Sequence, residues 1–218
     1  MEEKKYELLK ECYIDYAGHK VHPIIALKNF GGVSRGDRGG YVESEDNLSQ
    51  EGNCWIDADS YVLGNARVSG DVRIHASCIS GNAKIYGKAD IYKSNISDNA
   101  KVVNTNLFDS RIYGDAKTSN ASICYGNISG RASVTSSDDY CVIYNLFNEI
   151  SVTFYKTGRS SIGVNYGKFS DSLEEFISML ADRYPTDQFQ LYMGVIKAVV
   201  YKLCKGGKCH GFQAESYK

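Results

Sequence analysis

Four basic residues return at nearly constant intervals, Arg67, Lys84, Lys101 and Lys117. Each stands just before one of a series that is otherwise aliphatic, Val68, Ile85, Val102 and Thr118. Strands at these places would bury the second series and send the basic residues outward in one column. Like charges stacked at strand spacing repel one another, and an anion would relieve the cost. A second set follows a parallel series, Ile74, Ile91 and Leu107: it is His75, Tyr92 and Phe108, with Trp55 and Arg73 expected to project outward on the same side. Tyr86, just after Ile85, joins the candidates. A basic column beside an aromatic one suits a ligand with a base to stack and phosphates to neutralise. The plainer alternative is that the lysines solubilise the surface and the rings stack on themselves or fill a subunit interface.

Catalytic chemistry finds fewer footholds. A histidine general base is the usual device for deprotonating an acceptor, and of His19, His22, His75 and His210 only His75 falls in this regular stretch. The even spacing around it leaves no room for an extruded loop or acceptor pocket, so His75 is expected at the surface or an interface and no catalytic residue is assigned. Three histidines converging on zinc are not to be had. Cys204, Cys209 and His210, spaced C-x4-C-H, lack a fourth ligand, and a lysine-rich tail around Gly206 and Gly207 is the better reading. No metal or other cofactor is expected. The stretch from Gly31 to Gly40 is glycine-rich and carries Arg35 and Arg38, but contains neither GxxxxGK[ST] nor GxGxxG and reads as a turn into the first coil.

What must position these residues is a repeat. Asn65-Ala66-Arg67-Val68, Asn82-Ala83-Lys84-Ile85 and their neighbours show a turn residue, a small residue, an outward residue and an aliphatic residue in order. The aliphatic position runs from Ile56 through Val62, Val68, Ile74 and Ile79 to Val134, with one lapse at Thr118. Two residues before each lies a small one, so both share an interior. A period of five to six is too short for helical hairpins or propeller blades and matches a hexapeptide β-helix. Equivalent positions recur at every third unit, which implies three faces per coil and about five to six coils.

The chain has 218 residues and a formal charge of −1, which gives no global electrostatic hint. No run approaches the ~20 apolar residues of a membrane span, and neither a membrane nor a long nucleic acid is expected as partner. Seven scattered cysteines, an odd number, argue for a reducing compartment and a cytoplasmic location. Residues 1–40 read as an N-terminal β cap over the first coil, whose open edge would otherwise invite aggregation. Residues 41–137 form the coils. Residues 138–205 read as a small α+β oligomerisation domain: strands over Tyr140–Phe147, Ile150–Tyr155 and Ser161–Tyr166 with a turn at Thr157-Gly158-Arg159, a helix capped at Asp171 or Ser172 and ended by Pro185, and a second helix from about Thr186 to Leu203. That second helix is apolar over more than one stripe and is expected to be buried on two sides. Residues 206–218 are a tail.

The repeat resembles the left-handed parallel β-helix of hexapeptide-repeat proteins, and this resemblance supplies the handedness. The fold class is therefore mainly β, a left-handed β-helix with an N-terminal β cap and a C-terminal α+β domain. The entry segment Gly39-Gly40-Tyr41-Val42-Glu43-Ser44-Glu45, followed by Asn47 to Trp55, is similar to that of hexapeptide-repeat proteins of bacteriophages and prophages. The resemblance implies a homotrimer. It also implies a non-catalytic binding protein, akin to viral sponges that sequester a nucleotide-derived second messenger of bacterial antiviral defence, such as a cyclic oligonucleotide or an ADP-ribose derivative. The same core pattern is similar to that of hexapeptide-repeat acyltransferases, which implies as alternative an enzyme using a coenzyme A thioester and depending on His75. A structural module that takes no small ligand is the third reading.

Overall fold

The computed structural model describes residues 3–10, 13–147, 150–158 and 160–205. Short strands from Arg38 to Val134 stack in parallel as a β-solenoid of about six turns with three faces. The first face stacks Arg38–Val42, Tyr61–Val62, Cys78–Ile79, Asn95–Ile96, Arg111–Ile112 and Asn127–Ile128. The second, the basic face, stacks Arg67–Val68, Lys84–Tyr86, Lys101–Val103, Lys117–Ser119 and Ser133–Val134. The third, the aromatic face, stacks Trp55–Ile56, Asp71–His75, Lys88–Tyr92, Asn106–Phe108 and Ser122–Cys124.

The expected inward series is buried throughout, from Ile56 and Val62 to Ile128 and Val134. Identical positions pair in register, Val68 with Ile85, Ile85 with Val102 and Val102 with Thr118. Corners demand left-handed backbone. Gly70, at φ +84°, shows why glycine serves there: a Cβ would lie 2.6 Å from the Gly87 carbonyl oxygen of the next coil. Inside the prism a serine column supplements the aliphatic packing. The Ser60, Ser77 and Ser94 hydroxyls accept the Ser77, Ser94 and Ser110 amides, and Ser110 accepts that of Gly126. These buried amides are thereby satisfied without water.

The first coil is covered as expected. Tyr6–Leu8 and His19–Ala26 pair antiparallel, and the latter pairs antiparallel with Arg38–Val42, so the cap sheet continues into the first face. Lys5, 1% exposed, donates to the carbonyls of Glu51, Gly52 and Cys54 at 3.3, 3.3 and 3.0 Å, occupying acceptors that the open end leaves over. Burial holds its ammonium below the usual lysine range.

Past the last coil, an antiparallel sheet runs in the order Tyr140–Phe147, Ile150–Lys156, Ile162–Tyr166 and Phe169–Ser172. The last of these strands is absent from the sequence reading, because its pattern Phe-Ser-Asp-Ser lacks the β-branched and aromatic signal. Helix α1, Leu173–Arg183, is N-capped by Ser172, whose hydroxyl accepts the Glu175 amide at 3.3 Å. Helix α2, Thr186–Leu203, follows Pro185. Both helices share a core with the sheet, Phe154, Val164, Phe176, Leu180, Ile196 and Leu203 among it. Within the single chain helix α2 is buried along one side, and Leu191 and Tyr201 on its other side are exposed, where burial on two sides was expected. The Arg159 turn position, Cys209, His210 and the tail fall outside the described residues. Among the described residues no helix is long and apolar enough to cross a membrane.

Candidate functional site

At the outer edge of the aromatic face the residue after each inward aliphatic forms a column: Asp57, His75, Tyr92, Phe108 and Cys124. Strand register makes them neighbours, for Ile56, Ile74, Ile91, Leu107 and Ile123 pair in sequence beneath them. The serine column fixes this edge from within. Ser77, Ser94 and Ser110 donate to the carbonyls of His75, Tyr92 and Phe108 at 2.6, 2.8 and 2.9 Å, so the backbone that carries the column is tied down at each rung.

Two features of the column bear on chemistry. The Asp57 carboxylate lies against Nδ1 of His75, and both side chains remain partly open to solvent. Nε2 of the same ring has no hydrogen-bond partner among the described residues. Beyond the imidazole, Tyr92 and Phe108 stack at 5.3 Å between centroids with only 8° between planes, and Tyr125 and Tyr144 continue the line edge-on. Tyr92, Phe108, Tyr125 and Tyr144 are all exposed. Because the two stacked rings face each other, they offer edges rather than faces to a ligand alongside. That differs from the expected platform of free faces for a base.

On the basic face Arg67, Lys84, Lys101 and Lys117 stand in register, as the repeat requires. Arg67 meets Asp46 at 3.3 Å, while Lys84, Lys101 and Lys117 have no carboxylate partner among the described residues. Lys101 instead sits over the ring of Tyr86, 5.3 Å from its centroid. An amide column flanks the cations, Asn65 donating to Asn82, Asn82 to Asn99 and Asn99 to Asp115 at 3.0 to 3.1 Å. The cationic and aromatic columns stand on different faces of one chain, as the repeat implies.

Two sequence candidates are placed elsewhere. Trp55 points away from the coil interior but is only 2% exposed, because the cap covers it, with Phe30 edge-on at 5.6 Å. Arg73 is tied to the cap through the Gly31 carbonyl. Conversely, the sequence reading has no place for Asp57 beside His75. The signal was present, since Asp57 follows Ile56 as His75 follows Ile74, one rung apart in the same register. Among the described residues no group of three His, Cys, Asp or Glu side chains is arranged to hold a metal ion. A cleft of about 370 Å³ beside Ser129, Arg131, Tyr155, Ser170 and Glu174 lies at the terminal sheet, and no histidine lines it.

No protein-family model matches the chain. A curated relative, the uncharacterized acetyltransferase YdcK of Escherichia coli strain K12, is 42% identical over 57 residues, which make up 26% of this chain and 18% of the relative. The chain thus matches less than a fifth of that protein's length. The parallel stacked coils of the solenoid are consistent with the hexapeptide-repeat fold.

Proposed function

We propose that the chain is an acyltransferase of the hexapeptide-repeat kind, moving an acyl group from a coenzyme A thioester to an amine or hydroxyl acceptor on the aromatic face. The observation that carries this is the Asp57–His75 pair: a carboxylate that orients an imidazole and leaves its other nitrogen exposed is the apparatus of a general base. In the reaction, Nε2 takes the proton of the acceptor as its nitrogen or oxygen bonds the thioester carbonyl carbon. The carbon–sulfur bond then breaks and the proton passes to the departing thiolate. Acceptor and acyl thioester become acylated acceptor and free coenzyme thiol. The exposed rings beyond His75 give the apolar arm of the thioester a surface to lie along. The acetyltransferase name borne by the relative supports the same reading. In a homotrimer, a neighbouring chain would wall the face that the even coils leave open.

The test follows release of free coenzyme thiol from acetyl coenzyme A in the presence of amine and hydroxyl acceptors. Replacement His75→Gln is expected to lower kcat about 100-fold or more. Replacement Asp57→Asn, which puts an amide where the imidazole needs an acceptor, should fall with it. Thiol release that is equal in wild type and His75→Gln would sink the reading.

A second reading rests on Lys84, Lys101 and Lys117, cations in one column with no carboxylate partner among the described residues. It is sequestration, by a phage protein in the bacterial cytoplasm, of a nucleotide-derived second messenger of antiviral defence. Under it a cyclic oligonucleotide or ADP-ribose derivative raises the melting temperature by mass action, is recovered unchanged, and binds less tightly to Lys84→Ala and Lys101→Ala. Turnover of the thioester with no such binding decides for the enzyme.

A further inference from the structure

We propose that helix α2 is a docking surface for a second copy of this chain, packed antiparallel across a two-fold axis. Asp187, Leu191, Gly194, Ala198 and Tyr201 follow one another at intervals of four, three, four and three. At ~100° per residue they fall within about 40° of a single line along the helix. The line faces away from the core. All five residues are exposed, Leu191 by 67% and Tyr201 by 71%, and a side chain built on Gly194 would meet nothing within 4 Å. The opposite side of the same helix, Tyr192, Met193, Ile196, Val199, Val200 and Leu203, already fills the core. A second apolar stripe on an exposed helix therefore has no partner within the described chain.

The pattern says what covers it. About a point midway between Gly194 and Ala198, the stripe is symmetric in size and complementary in charge. Gly194 opposes Ala198, Leu191 opposes Tyr201, and Asp187 in the first turn opposes Lys205, just past the helix end. Neither Asp187 nor Lys205 has an ion-pair partner among the described residues. Turned end over end, a second α2 meets each residue with its counterpart, which is the condition for an isologous contact. Small residues at the crossing let the axes approach, the Leu191 and Tyr201 side chains fill the grooves on either side, and the helix dipoles run opposed. A parallel partner would instead set Asp187 against Asp187. Any assembly that the coils make on their own would be doubled by this contact.

The experiment compares the mass of the full chain with that of Leu191→Glu/Tyr201→Glu by sedimentation velocity over a range of concentrations, with circular dichroism as the check that both fold. The expected result is a wild-type particle of twice the variant's mass. The single change Asp187→Lys should weaken association about tenfold, since it meets Lys205 of the partner subunit at both ends of the contact. The exchange Asp187→Lys/Lys205→Asp should restore it. Equal masses for wild type and the glutamate variant overturn the proposal, as does a mass ratio of three, or failure of the exchange to restore association. A wild-type particle that doubles only once residues 206–218 are deleted also overturns it, making that segment the stripe's occupant.

Discussion

Thr118 sits in the buried aliphatic series between Val102 and Val134, and its hydroxyl has no hydrogen-bond partner among the described residues. A valine of nearly the same shape would remove an unmade bond rather than a contact. Replacement Thr118→Val is therefore expected to stabilise the protein by about 1–2 kcal/mol, seen as a higher denaturant midpoint at unchanged slope. Ser94 is the reverse case. It accepts the buried Ser110 amide and donates to the Tyr92 carbonyl, so Ser94→Ala leaves both unmet and should cost about 1–3 kcal/mol in the same measurement. At this scale the sequence was readable wherever strand alternation alone decides direction: inward Ile85 and Ile91, outward Lys84, Tyr92 and Phe108. It misled at Trp55, where alternation points outward but the cap folds over the face. It was silent on the Asp57–His75 contact because Asp57 sits eighteen positions earlier, and only the coil brings the two together.

The elements are held by their ends. At the last coil the Asp139 carboxylate accepts from the Thr135 amide and hydroxyl at 2.9 and 2.8 Å and from Lys156 Nζ at 2.7 Å, joining the solenoid to the terminal sheet. Burial works against the charge on Asp139, but the bonds from Lys156 and Thr135 outweigh it and hold the carboxyl below its ordinary range. A depressed folded-state value means that the stabilisation is present in full above the unfolded Asp range, near pH ~4, and is lost as pH falls through the folded value. Melting curves taken downward from neutral pH should show that loss, and Asp139→Asn should be less stable at pH 7 with a flatter dependence on acid. Element boundaries in the coils were legible because one rule repeats at every corner. Those of the terminal sheet were less so: Phe169–Ser172 forms a strand through its pairing with Ile162–Tyr166, a tertiary cause that no local pattern encodes. The outer stripe of α2 was legible as apolar, but not as exposed.

As a whole the molecule is a three-faced solenoid closed at one end by Lys5 and the cap and followed at the other by a small α+β body. The three faces and the inward series follow from the period of the repeat, and the direction of every rung in turn sets the chemistry each face can offer. One face presents lysines with no carboxylate partner among the described residues, and another an imidazole against a carboxylate and beside exposed rings. Sequence alone ranked the lysines first, because the dyad depends on stacking one coil over the next. We propose the reverse order, with the Asp57–His75 contact first, and the acetyltransferase name of the relative that shares a short stretch fits that proposal. The most direct measurement is the steady-state release of coenzyme thiol from acetyl coenzyme A by wild type and His75→Gln under identical conditions. The account predicts acceptor-dependent release by wild type that drops about 100-fold or more in the variant while the variant still binds the thioester. Wild-type release no faster than that of His75→Gln, across both amine and hydroxyl acceptors, would contradict it.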